Sequence, residues 1–259
     1  MLKRFFGCIV IALSLSVGKS FAQLNESDTI RFQFRTGVTG IYQQGNVALL
    51  NIRGRVDLTL LLHKDLVFKS QSSSLYQAFY SVEADNDIFS RNFIYYKPQR
   101  KVYPFAITFV STNYRRKIDN RYFAGGGFTY QVINTKINVL KLSASTVYEA
   151  TKFANSFYNY SEYNGNNNIN LWRGTLYVGG WSYLADKHMR LYYDAYWQPA
   201  FDNSNNYRTQ LDVGLDFPIW KGLSFNVVYA FTRENVVIEE ILQEDKILTF
   251  GLAYNLKSR

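Results

Sequence analysis

Beyond residue 22 the chain never strings together the ~18 apolar residues that a membrane-spanning helix requires. Instead it places apolar residues at every second position through one segment after another. Ile30, Phe32 and Phe34 alternate with Arg31, Gln33 and Arg35. Leu50, Ile52, Val56, Leu58 and Leu60 alternate with Asn51, Arg53, Arg55, Asp57 and Thr59. Leu211, Val213, Leu215 and Phe217 alternate with Gln210, Asp212 and Asp216. The last such segments are Leu223-Phe225-Val227-Tyr229-Phe231 and Leu248-Phe250-Leu252-Tyr254-Leu256. A pleated strand sends successive side chains to opposite faces. Each segment is therefore a strand with one apolar face and one polar or small face.

The pattern predicts strands over 29–42, 47–62, 66–79, 87–97, 102–115, 121–133, 137–150, 169–184, 188–199, 207–218, 223–234 and 247–256. Twelve strands is the central count, with ten or fourteen also compatible. At 70–74 and 90–92 the alternation blurs into serine and asparagine. Short connections (63–65, 98–101, 134–136, 185–187, 219–222) alternate with a second, mostly longer set (43–46, 80–86, 116–120, 151–168, 200–206, 235–246). Tight turns on one side and loops on the other mark an up-and-down antiparallel barrel of the outer-membrane kind, with turns facing the periplasm. Aromatic residues gather near both predicted ends. Tyr96, Tyr103, Trp181, Tyr183, Phe217 and Trp220 lie near the turns; Tyr42, Tyr114, Tyr148, Trp197 and Tyr229 lie towards the loops. Rings with one wet edge suit the headgroup zone.

Residues 1–22 read as a secretory signal peptide: basic Lys3 and Arg4, an apolar stretch over 5–17, and the small-x-small end Ser20-Phe21-Ala22. Residues 23–259 then form the barrel. Cys8 falls in the leader, so the mature part has no thiol for a disulfide, metal or nucleophile. The formal charge of +9 drops to +6 once Lys3, Arg4 and Lys19 are removed. That surplus is spread along the chain and does not point to nucleic acid. A soluble barrel would keep its apolar face inside. Strand number, loop phase, aromatic girdles and leader together assign the reverse arrangement, a transmembrane barrel in lipid.

With apolar faces outward, Arg31, Gln33, Arg35, Arg53, Arg55, Asp57, Arg190, Asp194, Asp212 and Asp216 are predicted to line the lumen. A basic wall from the first two strands would face an acidic wall from the ninth and tenth. Such charges either set up a field across an aqueous pore or pair and fill a small barrel. Both outcomes are compatible with the sequence. The segment 151–168, rich in asparagine and aromatic residues, is long enough to constrict a pore, bind a glycan or shield the surface.

Several short stretches add a family resemblance. Ser74-Leu75-Tyr76-Gln77-Ala78-Phe79 before Asn86-Asp87 resembles a pattern in the bacterial family of putative salt-induced outer membrane proteins. Ile118-Asp119-Asn120-Arg121, followed by Gly125, Gly127, Tyr130 and Ile133, is similar to that family's Ile-Asp-x-Arg turn and Gly-x-Gly strand. Gln198-Pro199, Asn206-Tyr207-Arg208, Phe217-Pro218 and Gly251-Leu252-Ala253-Tyr254 resemble its closing hairpins. The resemblance implies an outer-membrane barrel of unknown function and transfers no catalytic residue.

Hydrolases on such barrels need a base, most often histidine. His63 and His188 both fall at short turns, away from the loop rim where such enzymes work. The acid pairs Asp85/Asp87 and Glu239/Glu240 read as loop acids, and Glu234, Glu239, Glu240, Glu244 and Asp245 as a solvated rim rather than a cation site. The expectation is a non-catalytic barrel without cofactor or metal, serving envelope integrity or osmotic response with at most narrow passive permeation. A diffusion channel for small hydrophilic or anionic solutes is the alternative. Its partners would be membrane lipid, small solutes or ions, and the barrel-assembly machinery acting through the C-terminal strand.

Overall fold

A computed structural model describes residues 26–27, 31–45 and 48–258; the expected leader 1–22 lies outside them. Twelve strands follow in order: β1 (Phe32–Gln43), β2 (Leu49–His63), β3 (Leu66–Phe79), β4 (Val82–Tyr96), β5 (Val102–Asn113), β6 (Ile118–Asn134), β7 (Asn138–Phe153), β8 (Asn168–Leu184), β9 (Met189–Pro199), β10 (Tyr207–Trp220), β11 (Leu223–Glu234) and β12 (Glu244–Ser258). Each pairs antiparallel with its chain neighbours, and β12 pairs with β1 through Phe34↔Leu256 and Val38↔Leu252, so the sheet closes. Closure leaves no free edge, which is a condition for strands in hydrocarbon. The protein is a transmembrane, antiparallel, up-and-down barrel.

The largest departure from the sequence pattern lies at 80–86. The expected loop is a two-residue turn at Tyr80 and Ser81, both with positive φ, and β4 starts at Val82. The run Glu83 to Asp87 looked too polar for a strand. Glu83 is exposed beside the turn, but Asp85 and Asp87 have partners that hold the strand: Asp85 sits 2.6 Å from Arg115, and Asp87 accepts the Tyr114 N–H at 2.9 Å. The register slips by one residue beside Ala78 to make the turn.

Pairing fixes which face is which. Arg35 lies opposite Asp57, Asp57 opposite Gln71, and Gln71 opposite Arg91. Away from bulges, the odd residues of β1–β8 and β12 and the even residues of β9–β11 point inward. This corrects the turn-side girdle. Tyr103, Trp181 and Tyr183 have inward parity; Tyr103 is fully buried, and Arg190 lies over the Trp181 ring. Tyr96, Phe217 and Trp220 remain exposed at that end, as do Tyr42, Tyr148, Trp197 and Tyr229 at the loop end.

The walls are not alike. Outside β10–β12 stand Leu211, Val213, Leu215, Phe225, Val227, Leu248, Phe250 and Leu252. Outside β3–β6, Ser70, Ser72, Ser74, Ser90, Asn92, Ala106, Thr108 and Ala124 stand among the apolar residues Ile88, Ile94, Val110 and Tyr122. The inner faces are swapped to match. Phe89, Phe109 and Phe123 stack at centroid distances of 6.2 and 4.4 Å inside β4–β6. Below them Phe93, Tyr95, Tyr103 and Phe105 form a second ring cluster. Each such ring pair contributes about 0.5–1.5 kcal/mol beyond the area it buries. Gly125 and Gly127 let β6 approach β7 here: a Cβ would lie 2.0 Å from the Thr146 carbonyl oxygen and 2.1 Å from that of Ala144.

Candidate functional site

The lumen is the part of the molecule that could carry solute, and charged side chains cross it at several heights. At the turn end, Asp216 of β10 receives Arg35 of β1 at 2.9 Å, together with Arg190 of β9 and the amide of Asn226. Here the basic and acidic walls meet directly. Beside them, Glu26 enters from outside the barrel strands. It accepts from Lys141 at 2.7 Å, from the Tyr103 hydroxyl at 2.9 Å and from Lys69 at 3.3 Å. Burial by itself would raise the Glu26 carboxyl, but Lys141 and Lys69 outweigh it and hold the group well below the usual carboxylate range. Ser27 donates to the Pro98 carbonyl, as does Gln131, so the β4–β5 turn is drawn in beneath the same end.

At mid-height Arg55 pairs with Asp57 at 3.1 Å, Tyr177 donates to Asp194, and Gln210 donates to Asp212 at 2.9 Å. Arg53 stands in the field of Asp87, Asp212 and Asp85. Towards the loops, Arg121 of β6 makes two bonds of 2.8 Å to Glu234 of β11. These strands are five positions apart in a ring of twelve, so this ion pair spans nearly the whole lumen. Glu149 of β7 completes the layer. It lies 2.5 Å from Arg208, 3.3 Å from Arg173 and 3.8 Å from Arg121. All five groups are buried. Buried charges without partners are costly, and here each sign has the other within reach.

A lid closes the loop end. The segments 154–167 and 235–243 pair across the mouth, with Asn159 N–H on the Val237 carbonyl and Glu239 N–H on the Phe157 carbonyl, both at 3.0 Å. Tyr158, Val236 and Ile238 pack there with Ile118, Phe153, Ile169, Leu171 and Ala200. Burial pushes the Tyr158 phenol up to about 12. Arg116, only 3% exposed, reaches Asp245 at 2.7 Å from the opposite side. Outside the lid, Glu162, Tyr163, Asp202, Asn203 and Asn205 line a cleft of about 470 Å³. Asn203 donates to Glu162 and to the Tyr163 hydroxyl, so much of its polarity is spent internally.

Of the ten residues expected in the lumen, Gln33, Arg35, Arg53, Arg55, Asp57, Arg190, Asp194, Asp212 and Asp216 lie on inward positions. Arg31 does not: it precedes β1 and is exposed, because the strand starts at Phe32. Asp119 is an exposed residue 4.0 Å from Lys152, whereas Arg121 of the same turn motif belongs to the lumen lock. Glu26, Glu149, Arg173 and Arg208 escaped the sequence reading as lumen charges, and Glu234, read as a solvated rim acid, is instead buried against Arg121. Extending the parity of Lys141 along β7 reaches Glu149, and the parity of Asp212 reaches Arg208. Glu26 lies outside any strand and had no such signal. Of the rim acids, Glu234 and Asp245 are engaged by arginines, and Glu244 by Arg233 at 3.2 Å; Glu239 and Glu240 are exposed. His63 and His188 are exposed at the turn end.

A family profile described as "Protein of unknown function, DUF481" matches residues 36–256. No curated protein matches the chain. Among solved structures, the NanC porin is similar at 12% identity, covering 87% of this chain and 100% of its own, with a TM-score of 0.48. The translocator domain of autotransporter NalP from Neisseria meningitidis is 12% identical over 98% of this chain and 94% of its own, TM-score 0.46. OmpT, an outer membrane protein of Vibrio cholerae, is 9% identical over 92% and 100%, TM-score 0.40.

Proposed function

The chain belongs to this DUF481 family of unknown function, and from that premise we propose that it is a non-catalytic barrel of the outer membrane, locked shut at rest. Its role is to stiffen and seal the envelope, including under osmotic load, rather than to pass solute freely. It is exported by the leader at 1–22 and held by lipid around its apolar wall. The observation that carries this reading is the Arg121–Glu234 pair, which ties opposite sides of the lumen together within a buried five-residue ionic layer. A diffusion channel needs a water-filled path. Here the walls meet through Arg35–Asp216 and Arg121–Glu234, the Glu26 seal lies at one end and an apolar lid at the other.

Planar-bilayer recording tests the proposal. The wild-type protein is expected to give no conductance steps at high salt. Replacing Arg121, Glu149, Arg173, Arg208 and Glu234 together by alanine removes the whole upper layer without leaving one of its charges alone, and should produce brief openings. Sustained, anion-selective conductance from the wild type would overturn the reading in favour of a porin.

A further inference from the structure

The five turns that join β2–β3, β4–β5, β6–β7, β8–β9 and β10–β11 each carry lysine: Lys64, Lys97 with Lys101, Lys136, Lys187 and Lys221. With Arg100, these turns hold seven basic side chains against two acids, Asp65 and Asp186. The loops at the opposite end differ. There Arg115 and Arg116 are taken up by Asp85 and Asp245, which leaves one further cation, Lys117, to the four acids Glu162, Asp202, Glu239 and Glu240. Lys97 lies 3.7 Å from Asp65; among the described residues the other turn lysines make no ion pair. The Glu26 seal draws on Lys69 and Lys141 and on none of these. At three turns the backbone itself favours another residue. Lys97, Lys187 and Lys221 have φ of 52°, 73° and 28°, in the left-handed region where glycine is at ease and lysine is strained. A turn shaped for its bend alone would not hold lysine there.

Three of these cations are folded onto rings. The Lys97 ammonium stands 5.0 Å from the centre of the Tyr96 ring, that of Lys101 5.3 Å from Tyr130 and that of Lys221 5.1 Å from Trp220. All three rings are exposed, and Tyr96 and Tyr130 hold outward positions on β4 and β6. Each cation is thereby held at the outer rim of the barrel, beside rings suited to the headgroup zone, rather than over the mouth of the lumen. Around that rim in a membrane stands the phosphate layer of one leaflet. A polymer or protein docking from beyond the turns would need cations aimed along the barrel axis, whereas these three lean towards lipid. A zwitterionic headgroup cancels its own phosphate; an acidic one does not, and a cluster of lysines discriminates between them. We propose that the turn end is a binding annulus for anionic phospholipids. Lys97, Lys101 and Lys221 hold headgroup phosphates at the rim, and Lys64, Lys136 and Lys187 add to the field that selects acidic over zwitterionic lipid. The inference rests on the reading of the chain as a barrel embedded in lipid, and is independent of whether the lumen conducts.

The test uses the full folded chain in detergent micelles doped with equal amounts of phosphatidylglycerol and phosphatidylcholine, and counts the lipids retained by native mass measurement. A lysine beside a headgroup should favour the acidic lipid about fivefold at low salt, so the wild type should retain phosphatidylglycerol over phosphatidylcholine by about that ratio. Lys97→Gln, Lys101→Gln and Lys221→Gln together should bring the ratio down towards one while keeping the faster gel mobility of an unboiled, folded barrel. Lys221→Gln alone should lower it in part. Lys117→Gln removes the cation held over Tyr114 at the opposite end and should leave the ratio unchanged. Equal retention of the two lipids by the wild type would overturn the proposal, as would a preference that the triple replacement leaves intact. Lysine-dependent capture on peptidoglycan sacculi without any lipid preference would assign the turn end to a different partner and overturn it too.

Discussion

The β3–β6 wall and the β9–β12 wall solve the same problem with opposite chemistry. On β9–β12 and the adjoining β1, the lipid side is aliphatic and aromatic while the lumen side carries Arg190, Asp194, Asp212 and Asp216. On β3–β6 the rings of Phe89, Phe109 and Phe123 are inside, and serine, asparagine and alanine are outside. The difference teaches that a barrel's interior need only be satisfied, not polar. Stacked rings occupy one side of the lumen where ion pairs occupy the other.

The sharpest way to break the comparison is at the ionic wall. Asp216→Ala would leave Arg35 and Arg190 buried beside each other without their shared acid, at a cost of about 3–5 kcal/mol. The temperature at which the folded band disappears on a gel measures this. Phe109→Ala should cost a similar amount by loss of packing. A much smaller loss at Phe109 would mean that the rings are not load-carrying and that the two walls are unequal.

Next in size is the outer face of β10. Val213→Lys places a charge at mid-depth and should cost about 2–4 kcal/mol, read from urea titration in lipid vesicles. A cost near zero would show that this wall does not face hydrocarbon.

The turn-end seal gives a smaller effect with a definite pH sign. The folded Glu26 carboxyl lies below its ordinary value, so its contribution is complete above the carboxylate range and is lost as pH falls through and below it. Glu26→Gln should weaken the seal by about 1.5–3 kcal/mol at neutral pH and abolish its acid sensitivity. Hydrogen exchange around residues 26–27 and the Pro98 turn reports this. An acid response unchanged in Glu26→Gln would assign it to another group.

The smallest effect is the mirror of Val213→Lys. Ser72→Leu should stabilise the folded barrel in lipid by about 1 kcal/mol, whereas leucine is already the natural choice across the other wall. A destabilised barrel would mean that the Ser72–Ser90 contact supports the β3–β4 pairing.

Much of this was legible because a pleat has a period of two. Leu211 to Phe217 and Leu248 to Leu256 revealed both their strands and their faces, since nothing but lipid contact shapes that alternation. The lumen residues on β1, β2, β9 and β10 followed by the same parity. The sequence blurred where the chemistry was inverted. Ser70 to Ser74 looked like a weak strand because both its faces are polar, with Gln71 and Ser73 inside, and Ser90 to Asn92 because the outer side is polar while Phe89 and Phe93 lie inside. Tyr103 and Trp181 looked like girdle residues because position along a strand does not tell inside from outside. The length of 151–168 pointed to a loop able to constrict the mouth, but its partnership with Val236 and Ile238 had no signal, as it depends on two loops 78 residues apart meeting there.

The Glu26 seal has a consequence in time. Its partners come from β3, β5 and β7, and the Lys141 contact spans 115 residues of chain. Until those strands stand side by side, the carboxylate has no site to enter. The seal is therefore a late event in building the barrel: an early nick or misregistered β5 would leave the turn end unlatched, and a latched end certifies that the first half of the ring was laid down in order.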